Sequence, residues 1–149
     1  MWIEQTEKEI KMEKDDKRNE IIRIFRRYAR LGLGECDLNP IQIYKKIDVL
    51  CSSRRTKLDM LAVFDTLRLL ELSDETETLI AIRRVYLEGR THRVTKHELG
   101  RRVSELARDL YCDDRTIYRR LEKARELFEK TRGREGLILD GIYSVSFRS

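Results

Sequence analysis

The chain has 149 residues, of which 40% are charged and 7% aromatic, with one proline, seven glycines and a net charge of +5. That length supports one domain, or one domain with an extended arm, which can bury about 70% of its unfolded surface without a disulfide or metal staple. The balance favours helix over sheet, no apolar run approaches the ~18 residues of a membrane span, and the opening MWIEQTEKEI lacks the basic-then-apolar order of a signal peptide.

From about Glu4 to Leu31 the pattern predicts a helix. Its first half, EKEIKMEKDDKRNE, is a dense charge run, and Ile21, Ile24, Phe25, Tyr28 and Leu31 form an apolar stripe in its second half. Ile3, Ile10, Ile24 and Leu31 share a heptad position that Lys17 interrupts. Two readings stay open for residues 1–32: an arm that docks by its second half, which we favour, and a homodimer through the N-terminal helix. Gly32, Gly34 and the stretch to Asn39 form a break. Asn39 is a good N-cap, and Pro40 suits the first helical position, where its missing N–H costs nothing.

A short helix should follow to about Cys51, and then KLDMLAVFDTLRLLEL, residues 57–72, reads as apolar nearly all round. A helix without a polar face belongs at the centre of the molecule, so this segment is the expected core. Asp74 and Glu77 have capping-box spacing and should open the next helix, which Gly89 is placed to end. Residues 39–89 thus read as a helical core. Thr95 and Glu98 repeat the capping spacing, and Asp113 or Asp114 should cap one more helix, ended by Gly133 and Gly136. The tail, 133–149, alternates in polarity and contains Asp140-Gly141. It reads either as a short C-terminal β-hairpin or as an unpaired extension.

The unit from residue 90 to 132 carries the functional signal. Leu99, Val103, Leu106, Ala107 and Leu110 make one helical face, and Ile117, Leu121, Ala124 and Phe128 make another beyond a short acidic break. Ala107 supplies the small side chain that two closely crossing helices need. Arg115 and Arg119 point almost directly away from the second apolar stripe, with Thr116 and Lys123 beside them. Charge concentrates here as well. Residues 1–89 are balanced at 17 basic and 17 acidic side chains, whereas residues 90–134 hold 14 basic and 8 acidic, as polyanion binding through phosphates predicts.

A helix packed on one side and arginine-bearing on the other is built like the reading helix of a helix-turn-helix. Arg115, Thr116, Tyr118 and Arg119 occupy the first turns, the part that enters a major groove. Arg115 or Arg119 is the expected base reader, since a guanidinium pairs with guanine O6 and N7. Arg120 and Lys123, further along, suit phosphates, as do Thr95, Arg101 and Arg102 near the start of the preceding helix. The bland reading of each arginine is a solvated residue paired with Glu122 or Glu126.

Catalytic readings find little support. His92 and His97 have no cysteine nearby, Cys112 has no activating histidine, and Gly32 and Gly34 follow a helix rather than a strand. No enzyme, metal or cofactor is expected. Cys36, Cys51 and Cys112 are isolated thiols without CxxC spacing, which fits a reducing cytoplasm.

Residues 75–130 carry a family likeness. ETETLIAIRRVYLEGR, then a capped helix, then DDRTIYRRLEKARELF resembles the DNA-binding region 4 of bacterial sigma-70-type factors. It is more similar still to the short region-4-like regulators of Gram-positive bacteria and their prophages, the ArpU/RinA-type late-gene activators. RTIYRRLEKA and YLEG carry the likeness. This chain has Tyr111 where the motif has glycine at the turn. It also has Arg120 at an apolar position of the motif, with Leu121 taking over the packing. The resemblance implies promoter binding in contact with RNA polymerase.

The expectation is therefore an all-α protein with a C-terminal helix-turn-helix that binds double-stranded DNA as a transcriptional regulator. The alternative is a helical protein-interaction or phage DNA-packaging module using the same basic face.

Overall fold

The computed structural model describes the backbone of residues 2–35, 39–89 and 94–146, and side chains within 7–34, 39–89 and 94–133. Among the described residues the chain is all-α: α1 (Trp2–Arg30), a 3-10 turn (Leu33–Glu35), α2 (Pro40–Leu50), α3 (Arg54–Leu72), α4 (Thr76–Ile82) continued by a π-helical turn (Arg83–Leu87), α5 (Lys96–Asp109) and α6 (Asp114–Ser146). No described helix is long and apolar enough to cross a membrane.

The second half of α1 is docked, with Ile21, Ile24, Phe25, Tyr28 and Ala29 buried, while Ile10 and Met12 in the first half are exposed. Phe25 is the meeting point of three elements. Its ring lies 5.8 Å from that of Tyr86 in the π turn and 5.3 Å from that of Phe128 in α6. Aromatic rings at such separations add about 0.5–1.5 kcal/mol beyond their buried area.

Asn39 caps α2 as its sequence predicts: Oδ1 accepts from the Ile41 and Gln42 amides at 3.1 and 3.5 Å, with Pro40 at the first position. α3 is the central helix, burying Met60, Ala62, Val63, Phe64, Leu67 and Leu70. It does have an outer side, however. Leu69 and Leu72 are exposed beside Arg68 and Glu71, while Leu70 of the same turn is buried.

Two helix ends differ from the sequence expectation. Asp74 does not open α4. It takes φ +57° and closes α3: the Asp74 amide donates to Glu71 O and the Glu75 amide to Leu70 O, the paired bonds of a left-handed helix stop. Aspartate tolerates this conformation better than most residues. α4 then starts behind Glu75 without a side-chain cap. At the other end of the molecule, Gly133 does not stop α6. A glycine ends a helix only where the backbone turns left-handed; here the helix continues, after Thr131 and Arg132 have packed against its neighbours.

α6 also runs through Gly136 and Asp140-Gly141, so the C-terminal hairpin is not confirmed. The side chains of that stretch, and residues 147–149, lie outside the described residues. So do Cys36, His92 and the side chain of Ile3. Cys51 is a buried thiol whose pKa burial pushes up.

Candidate nucleic-acid interface

α5 and α6 form the predicted pair. Thr95 caps α5, its Oγ1 accepting from the Glu98 amide at 3.1 Å. Val103, Leu106 and Ala107 bury against Ile117, Leu121, Ala124 and Phe128, all at 3% exposure or less. The turn between the helices is a second left-handed stop. Tyr111 has φ +56°, its amide donates to Arg108 O at 3.3 Å, and the Cys112 amide reaches Ala107 O at 2.9 Å. Tyr111 therefore adopts the backbone shape that glycine gives most cheaply, and its side chain is 98% exposed. Cys112 packs against the core beneath it.

Asp113 is the cap of α6. Its Oδ1 accepts from the Thr116 amide at 2.9 Å and the Thr116 hydroxyl at 2.7 Å, and those bonds hold its carboxyl below the usual range. Asp114 accepts from Ser104 Oγ at 2.8 Å, pinning the start of α6 to α5.

The nine residues singled out from the sequence divide sharply. Thr95 and Thr116 serve the two caps. Arg101 is paired with Glu98 and Glu105 of its own helix. Arg120 pairs with Glu77, and Lys123 with Glu75 at 2.7 Å, so both fasten α6 to the start of α4. The bond to Lys123 is the main cause that lowers the Glu75 pKa.

Arg102 is structural in a way the sequence did not reveal. Its guanidinium donates to Val85 O at 3.1 Å and Glu88 O at 3.0 Å, and its side chain is only 13% exposed. Buried Arg26 from α1 joins it, donating to Tyr86 O, Glu88 O and Gly89 O at 2.7, 3.0 and 3.2 Å. Two guanidiniums thus collect the free carbonyls that end the π turn, the negative end of its dipole. Burial, and then the neighbouring charge of Arg102, lowers the Arg26 pKa. Helical periodicity marked Arg102 only as near the start of α5. Nothing local in the sequence marks a carbonyl 17 residues earlier, or one 60 residues after Arg26, as a partner.

Arg115, Tyr118 and Arg119 remain. Both arginines are exposed on the first turns of α6, and Tyr118 is half exposed. Among the described residues neither arginine is engaged in an ion pair, though both lie close enough to Asp113 to lower its pKa. They line a cleft of about 580 Å³ together with Lys96 of α5 and Arg18 of α1. A cleft with this rim can hold anionic oxygens. Among the described residues no group of histidine, cysteine and carboxylate side chains could hold a metal ion.

In comparisons with protein families, curated proteins and solved structures, the chain matches none.

Proposed function

We propose that this protein is a sequence-specific, duplex-DNA-binding transcriptional regulator in which α5 and α6 act as a helix-turn-helix of the sigma region-4 kind. The observation that carries this reading is the separation of roles on α6. Ile117, Leu121, Ala124 and Phe128 are fully packed, while Arg115 and Arg119 stand exposed on the opposite side of the same turns. Phosphate contacts set the register, and an arginine in the major groove reads guanine. No chemistry is required of the protein. One helix pair offers less area than specific binding normally uses. A second copy docking through the first half of α1, where Ile10 and Met12 are exposed, or RNA polymerase supplies the remainder.

Selection of bound sites from random duplexes, followed by titration of the selected and unrelated sequences, tests the reading. Arg119→Ala should lower affinity for the selected site by about 1–3 kcal/mol and leave unrelated duplexes nearly unchanged. Equal loss on every sequence removes the reading role from Arg119. Absence of wild-type binding to any duplex at ~50 mM salt rejects the DNA reading altogether.

A further inference from the structure

The cleft beside α6 is not built by the helix pair alone. Its cationic lining comes from three helices: Arg18 from α1, Lys96 from α5, and Arg115, Arg119 and Arg125 from α6, against Glu122 as its acidic member. Arg125 is held in place by donating to the Tyr86 hydroxyl at 2.7 Å. Among the described residues Arg18 makes an exposed ion pair with Asp15 on its own helix, at 3.2 Å, a kind of bond worth little in water. Gly100, also in the lining, leaves the backbone of α5 bare, and a Cβ there would meet nothing within 4 Å. Like charges repel across such a space, and an anion entering it relieves that repulsion. A cationic cleft flanking the exposed arginines of a reading helix is placed for a backbone phosphate.

We infer that α1 is part of the DNA-binding surface: a phosphate of the bound strand sits in this cleft, gripped by Arg18 and Lys96. The inference rests on the duplex-DNA reading above. It makes the N-terminal helix a sequence-independent anchor, while α6 alone reads bases.

The test uses the full chain and fluorescence anisotropy on several unrelated duplexes from 50 to 200 mM salt. Arg18→Ala with Lys96→Ala should reduce the slope of log affinity against log salt by about one, the share of a single phosphate, equally on all sequences. Gly100→Glu, which introduces a carboxylate into open space, should weaken all duplexes likewise. Lys45→Ala with Arg68→Ala removes the same charge from exposed positions outside the cleft and should leave the slope unchanged. Thermal melts monitored by circular dichroism establish that each variant is folded.

An unchanged slope in Arg18→Ala/Lys96→Ala, with wild-type binding intact, overturns the inference and leaves the DNA reading standing. So does an equal fall in the Lys45→Ala/Arg68→Ala control, which would make the effect one of net charge. Loss of binding to polyglutamate without any loss on DNA would assign the cleft to an acidic protein instead. A wild-type chain that binds no duplex at ~50 mM salt rejects the underlying reading, and the inference with it.

Discussion

Arg102 offers the clearest separation of structure from binding, because its surroundings predict a loss of stability rather than of DNA affinity. Arg102→Ala removes two charge-assisted bonds to the Val85 and Glu88 carbonyls, and a long, partly exposed pair with Glu98 at 3.4 Å that adds little. Each such bond has a net worth of about 1.5–3 kcal/mol. The Glu88 carbonyl keeps Arg26 as a donor, at 3.0 Å. That partial rescue places the cost near the value of a single bond, about 2–3 kcal/mol. For a chain of this size, 1 kcal/mol corresponds to about 2–4 °C, so the melting temperature should fall by about 5–10 °C.

The assay pairs thermal melts of Arg102→Ala and Arg119→Ala with DNA titration at two salt concentrations. Arg119 is exposed, so its variant should melt within about 1–2 °C of wild type, as surface substitutions do. An Arg102→Ala protein that melts like wild type but shows a weaker salt dependence on DNA would refute the reasoning and restore Arg102 as a phosphate contact.

Two further outcomes follow from the turn and the caps. Tyr111→Gly should raise stability by about 1 kcal/mol in urea unfolding, since φ is +56° and the side chain buries nothing; a lower midpoint would show that the ring matters to the fold. Stability against pH should carry two opposite signatures. The Asp113 carboxyl has its pKa lowered by the Thr116 bonds, so its stabilisation is complete above the unfolded carboxylate range and is lost as pH falls through its folded value. The Asp59 carboxyl has its pKa raised, burial outweighing Arg132 at 2.9 Å. Its contribution is therefore complete below that range and is lost as pH rises through the folded value. Asp113→Asn should thus be most harmful relative to wild type near neutral pH, and Asp59→Asn under acid; melts from pH 3 to 7 that run the other way contradict the assignments.

The local signals in this chain were strong where one helix face or one cap decides the outcome. Asn39-Pro40, Thr95 and Asp113 cap as their side chains dictate, and the apolar stripes of α5 and α6 are buried face to face except at Leu110, which lies past the last turn of α5 and is 39% exposed. Asp74 misled because one residue can either close a helix or open the next, and the backbone at the end of α3 decides which. The candidate site was legible as a set of cations on two helices. Their division into anchors and free groups was not. That depended on α4 presenting Glu75 and Glu77 to Lys123 and Arg120, and on the π turn presenting carbonyls to Arg102.

The sequence by itself determined the helices, most of their ends and which residues of α6 must be inside, because periodicity and capping are properties of neighbours within a turn or two. Only the tertiary structure decided which arginines are free, because a guanidinium finds its partner across tens of residues of chain. It also brought Arg18 of α1 to the same cleft as Lys96 and Arg115, a juxtaposition that depends on Phe25 seating the first helix against Tyr86 and Phe128.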